Sequence, residues 1–144
     1  EQGYADLTSL KADINITEGA GGWRLPIVIN NASQENKQKH IFLSDFVQLT
    51  QQNVILIVNM KLGCLNHALL TYQAIVADGL QCVAWIANNA SDESMSCLHE
   101  NIASLEQLLP IPKIAQLSFY HNKNMSVQDK IISAANEIDL TPLL

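Results

Sequence analysis

An α/β fold, a parallel sheet with helices on both faces, is predicted by three features of this 144-residue sequence. The run Val54-Ile55-Leu56-Ile57-Val58 is short, continuously apolar and β-branched, the composition of a strand buried on both faces of a parallel sheet. Behind it, apolar residues recur at spacings of three and four, as on one face of a helix. The two patterns then alternate to the end of the chain, which is the order of βα units.

Taken in order, Tyr4 to Lys11 reads as the tail of a helix, with Leu7 and Leu10 on one face, and Ile14-Asn15-Ile16-Thr17 as a first strand. Residues 24–41 are polar and loop-like, and 28–41 is predicted to be a flexible surface segment, centred on the Asn30–Lys39 stretch. Phe42, Phe46 and Leu49 mark a short helix with Asp45 near its start. After the Val54–Val58 strand, Leu65, Leu69, Tyr72 and Val76 form a helical stripe, and Gly79 stands where a left-handed cap is expected. Cys82 to Ala87 is the third strand. Leu98, Ile102, Leu105 and Leu109 give the next helix, stopped by Pro110. Lys113 to Ser118 is the fourth strand, and Val127, Ile131, Ala135 and Ile138 make a last helical stripe before Thr141-Pro142.

A chain of this length is expected to form one domain, 1–144, able to bury roughly two-thirds of its unfolded surface. Cys64, Cys82 and Cys97 make an odd set with no C-x-x-C spacing, which points to reduced thiols in a cytoplasmic setting. The net charge of −6, with eight Lys and Arg, leaves no electrostatic footprint for nucleic acid. The apolar runs are too short to span a bilayer, so no membrane partner is expected. A small anion remains possible as a ligand, because local N–H groups and a metal bind it rather than the field of the whole chain.

Glu18-Gly19-Ala20-Gly21-Gly22-Trp23 sets a carboxylate and three glycines just past the predicted first strand. Glycines there let backbone N–H groups approach a phosphate while a carboxylate holds Mg²⁺, although an acidic residue at a strand end is as often a solvated turn residue. No G-x-x-x-x-G-K-[ST] loop accompanies it. Lys61-Leu62-Gly63-Cys64-Leu65-Asn66-His67 joins a strand to a helix start, whose N–H groups favour a carboxylate or phosphate. The plainer reading makes Cys64 a packing residue, His67 a helix-surface residue and Lys61 a solvated charge. As a nucleophile Cys64 lacks a designated partner. Asn88-Asn89 ends the third strand with amides suited to a base edge or simply to strand termination. Phe119-Tyr120 after the fourth strand could stack on a base or cover the core. His99 and His121 show no metal spacing.

In sequence order, E-G-A-G-G-W-x-x-P-I, V-I-L-I-V-x-x-K-L-G-C-L-N-H-A-L-L-T, A-W-I-A-N and E-N-I-A-S-L-x-x-L-L-P-I-P resemble the later part of the dethiobiotin synthetase family, from about Asp13 to Phe119. That resemblance implies a P-loop NTPase-like three-layer α/β/α fold lacking its N-terminal phosphate-loop region, with Glu1 not the start of the protein. It implies an ATP- and Mg²⁺-dependent cyclo-ligase that forms the ureido ring of dethiobiotin from 7,8-diaminononanoate and CO₂, as a cytoplasmic homodimer. By position Glu18 would hold Mg²⁺, and Gly19, Ala20 and Gly21 would contact ATP and its phosphates. Asn88, with Asn89 beside it, would read adenine, and Ser118, Phe119 and Tyr120 would line the base. Gly63, Cys64, Leu65 and Asn66 would hold the substrate carboxylate across the dimer interface. The phosphate-loop strand would lie between the strand ending at Glu18 and the one beginning at Val54.

The pattern also departs from the family. Ser118 replaces a proline, Asn59 a glycine and Asn53 a common proline, the segment 28–41 is longer than usual, and the phosphate loop, the carbamate lysine and the second metal aspartate have no counterpart. The chain alone is therefore expected to be inactive. The alternative is a non-catalytic nucleotide-binding or dimerisation module of the same fold.

Overall fold

The computed structural model describes residues 12–19, 21–29, 40–92, 95–121 and 124–144. The helix tail expected at Tyr4–Lys11, Ala20 of the glycine turn and the Asn30–Lys39 stretch lie outside the described residues. Contacts divide the chain into two compact units, Glu1–Gln52 and Asn53–Leu144.

In the first unit, β1 (Pro26–Val28) and β2 (Ile41–Phe42) pair antiparallel, Pro26 opposite Phe42 and Val28 opposite Ile41. This corrects the expectation of a loop throughout 24–41: the ends of that segment carry a short ladder. Strands of two and three residues, one opening on a proline, leave too little alternation to read from sequence. Helix α1 (Leu43–Thr50) follows directly, its entry fixed by the Phe42 N–H donating to Asp45 Oδ2 at 2.8 Å. It ends at Gln51, whose backbone is left-handed with φ of 51°. The strand expected at Ile14–Thr17 does not form, and Ile14 and Ile16 are 78% and 90% exposed. An apolar run becomes a strand only when a neighbour takes up its N–H and C=O groups, and the one ladder described in this unit joins β1 to β2.

The second unit follows the predicted alternation closely. Its elements are β3 (Val54–Asn59), α2 (Cys64–Ala77), β4 (Cys82–Asn88), α3 (Leu98–Leu108), β5 (Lys113–Leu117), α4 (Val127–Asn136) and a 3₁₀ turn (Thr141–Leu143). The sheet is parallel, in the order β3-β4-β5, with Asn59 opposite Asn88 and Asn88 opposite Leu117. Gly79 carries the expected left-handed backbone, φ 77°, behind α2. One face of the sheet holds Val58, Trp85 and Ala87 in a cluster with Cys64 and Ala68 of α2 and Ile102 and Leu105 of α3. Ala84, Ile86, Ile114 and Ala115 form a second cluster. The outer edge of β5 is partly closed by the chain after α4: Ile138 bridges Ala115, and the Asp139 N–H donates to the Ile114 carbonyl at 2.7 Å.

Two expectations about burial are corrected. β3 is not buried on both faces, since Ile55 and Ile57 remain 43% and 59% exposed. Leu56 and Val58 point to the helix-covered side, so alternation along the strand leaves the isoleucines on the other. The predicted last helix forms as α4, but Val127, Ile131 and Ile138 of its stripe lie exposed. Among the described residues no helix is long and apolar enough to cross a membrane.

Candidate functional site

The carboxyl ends of β4 and β5 and the chain just after β3 enclose a cavity of about 230 Å³. Met60, Leu98 and Ile102 make an apolar wall, while Asn89, Ser118 and Phe119 come from the strand ends. Asn89 is fixed through its backbone, whose N–H donates to the Leu117 carbonyl at 3.0 Å, and Asn88 through its carbonyl, which accepts the Met60 N–H at 2.9 Å. The Asn89 Oδ1 is buried without a hydrogen-bond partner. An unmet buried acceptor costs on the order of 1–3 kcal/mol, and a donor in the cavity reaches this oxygen only when the amide turns toward it. Trp85 Nε1 shares that condition, but Trp85 belongs to the closed core cluster.

Three predicted base-site residues, Asn89, Ser118 and Phe119, therefore meet at one cavity, whereas Asn88 and Tyr120 do not line it. Sequence reasoning missed Met60, the α3 face and His121. The last lines the cavity, lies edge-on to Phe119 at 5.1 Å and 80°, and pairs with Asp92. It also missed Glu137, whose carboxylate accepts the Ser118 N–H at 2.7 Å and the Tyr120 hydroxyl at 3.3 Å. Burial first, and the Glu137 carboxylate second, push the Tyr120 hydroxyl above its ordinary range.

Beside the same strand ends, Gly63 opens α2 with φ of 91°. Its neighbour Cys64 is buried and its N–H donates to the Lys61 carbonyl at 3.0 Å, which favours the packing reading of that side chain. The remaining first-turn N–H groups, at Leu65 and Asn66, sit at the positive end of the helix dipole. Cys82 is no better placed as a nucleophile, because burial pushes its thiol up to about 11.

In the first unit Glu18 is exposed. Gly21 and Gly22 have φ of 93° and 94°, which only glycine adopts without strain. Gly19 has a packing reason, since a Cβ there would overlap Leu43 Cδ2. Arg24, unassigned from sequence, donates to the buried Ser44 hydroxyl at 3.1 Å. Among the described residues no three His, Cys, Asp or Glu side chains cluster as a metal site. Glu18 alone still suits Mg²⁺, which keeps water and substrate phosphates as its other ligands.

A larger, open depression of about 510 Å³, lined by Val76, Leu80, Gln81, Cys82 and Pro142, lies where β4 begins. Ligands of open parallel sheets bind at the opposite end, so the smaller cavity is the functional candidate.

A parallel sheet flanked by helices, with its cavity at the carboxyl ends of the strands, defines a P-loop NTPase-like α/β protein. The chain belongs to the AAA domain family, whose pattern matches residues 10–124. It is 45% identical over 118 residues to the ATP-dependent dethiobiotin synthetase of Alteromonas mediterranea, covering 82% of this chain and 48% of that protein. The protein of the same name from Cellvibrio japonicus is 42% identical over 142 residues, 99% of this chain and 55% of its own length. That of Pseudomonas aeruginosa is 38% identical over 138 residues, 96% and 53% of the two chains. The chain thus spans about half the length of the curated relatives it matches.

Proposed function

We propose that the complete protein carrying this sequence is a dethiobiotin synthetase, a Mg²⁺- and ATP-dependent cyclo-ligase that closes the ureido ring on 7,8-diaminononanoate and CO₂. The observation that carries this reading is the meeting of Asn89, Ser118 and Phe119 at the strand-end cavity, beside the 38–45% identity to dethiobiotin synthetases over most of this chain. The Asn89 amide, turned into the cavity, would offer an acceptor to an exocyclic base amine, with apolar walls from Met60 and Ile102 and a ring from Phe119 on which a base can lie. Asn88, Ser118 and Tyr120 frame that side of the site. Gly63, Cys64, Leu65 and Asn66 belong to the helix start that would take the carboxylate of the diamine, with the free N–H groups of Leu65 and Asn66 as donors. Glu18 would hold Mg²⁺, and Gly19, Ala20 and Gly21 the phosphates beside it. When bound, the metal nucleotide supplies the phosphoryl group that activates the carbamate for ring closure. We further propose that both units belong to one such domain and that it works as a cytoplasmic homodimer.

The test is phosphate release by the complete protein, expected only with ATP, diamine and CO₂ together. Asn89→Leu is expected to raise the KM for ATP about tenfold, the equivalent of one net hydrogen bond of roughly 1.4 kcal/mol. Glu18→Gln is expected to lose most Mg²⁺-dependent turnover. Ring closure that proceeds without ATP refutes the reading; nucleotide binding without turnover leaves a binding module.

A further inference from the structure

Glu137, just past the last turn of α4, is held to the strand from which the cavity loop leaves. Its own N–H donates to the Ala134 carbonyl at 3.1 Å, and the next two residues tie to β5 through the Ile138–Ala115 bridge and the Asp139 N–H to the Ile114 carbonyl. Its side chain then reaches the loop that follows β5, gripping Ser118 by its N–H at 2.7 Å and Tyr120 by its hydroxyl at 3.3 Å. Phe119 lies between those two held residues and lines the cavity. A carboxylate accepting a backbone N–H is among the stronger hydrogen bonds available, and here both oxygens act on one three-residue segment.

We propose that Glu137 is a positioning residue that holds Ser118 and Phe119 against the cavity and so sets affinity for the nucleotide base without touching it. The proposal rests on the nucleotide reading of the cavity given above. With Glu137 removed, the segment loses both of these anchors, while Phe119 keeps its ring contact with His121. The bound base must then order a loop that Glu137 otherwise orders in advance.

The experiment uses the complete protein. Glu137→Ala is expected to raise the KM for ATP three- to tenfold, with kcat and the KM for the diamine within about twofold of the parent. Glu137→Gln keeps an oxygen acceptor and is expected to recover most of the loss. In Glu137→Gln the Tyr120 hydroxyl, followed by NMR of ¹³C-labelled tyrosine, is expected to titrate at lower pH than in the parent, because the carboxylate that disfavours its phenolate is gone.

An unchanged KM for ATP in Glu137→Ala overturns the proposal while leaving the nucleotide reading in place. So does an equal loss in every kinetic parameter together with a lowered Tm, the mark of a purely structural brace. If the unsubstituted protein fails to use ATP, the nucleotide reading fails and this proposal falls with it; the Tyr120 titration then reports a brace with no functional cavity behind it.

Discussion

Asn88 and Asn89 carry the same side chain one position apart, yet Asn89 lines the cavity and Asn88 does not, because side chains alternate along a strand and Ala87 already faces the cavity. From sequence both amides are equal candidates, since the choice turns on a strand boundary that periodicity places only to within a residue or two. The pair can be separated by kinetics: Asn88→Ala is expected to raise the KM for ATP less than Asn89→Leu, and the reverse order would put the base on the other face of the sheet. The glycines were legible as a group and not one by one. Gly21, Gly22 and Gly63 need positive φ, whereas Gly19 answers to Leu43, a contact no local pattern reveals. At Gly63 a Cβ would meet His67 at an ordinary 3.7 Å, so the cost of Gly63→Ala is backbone strain. Urea unfolding is expected to show a loss of about 1–2 kcal/mol. Ser118 shows how a departure from the family pattern can be accommodated: it supplies an N–H to Glu137 that proline lacks. That partner is 19 residues away and is set by tertiary folding, beyond the reach of spacing rules. Asp139 adds a pH effect, since hydrogen bonds from the Thr141 side chain and then its backbone hold its carboxyl below the ordinary range. A depressed carboxyl stabilises above its unfolded pKa and loses that contribution as pH falls through the folded value. Asp139→Asn should therefore be slightly less stable than the parent at neutral pH, with the difference vanishing in acid; as the group is exposed, a small effect is expected.

Among the elements, those of the second unit were legible because each carries two independent signals, periodicity and a stop. The third strand runs one residue beyond its predicted end, and α3 stops just before Pro110. In the first unit α1 was legible from Phe42, Phe46 and Leu49, with Asp45 in its first turn, but the strands were not. Ile14–Thr17 has strand composition without a described ladder, and β1 and β2 have a ladder without strand composition. α4 lies between these cases: its period is right, but its stripe is exposed, so its stability leans on its ends. The Ser126 hydroxyl accepts the Asp129 N–H at 3.1 Å and caps the first turn. Ser126→Ala is expected to destabilise this helix by about 1 kcal/mol, seen as faster amide exchange across Val127–Asn136. Because Glu137 ends the same helix, the substitution is also expected to weaken ATP binding modestly in the complete protein. Parent-like ATP affinity despite a frayed α4 would show that the Glu137 brace holds independently of the helix before it.

For the molecule as a whole, the exposed isoleucines of β3 and the span of the chain bear on one question. Parallel strands in βα proteins are covered on both faces, yet Ile55 and Ile57 face away from α2 and α3 and stay exposed. Among the described residues β3 has one hydrogen-bonded neighbour, β4. Val54 and Met60 turn their N–H groups to the β4 side, donating to Gln81 and Asn88 carbonyls at 2.8 and 2.9 Å. By the two-residue repeat of a strand, the N–H groups of Ile55, Ile57 and Asn59 point to the open edge. The matched relatives are about twice as long as this chain, and the family resemblance puts a phosphate-loop strand beside the one beginning at Val54. In the complete protein, then, the amides of Ile55 and Ile57 are expected to exchange as slowly as those of Leu56 and Val58. In the 144-residue chain alone they are expected to exchange much faster than those two, and the unpaired edge beside an exposed apolar face should drive concentration-dependent self-association. Equal exchange at Ile55 in the two proteins would mean that nothing pairs with this edge, and that the phosphate-binding half of the proposed site must be sought elsewhere.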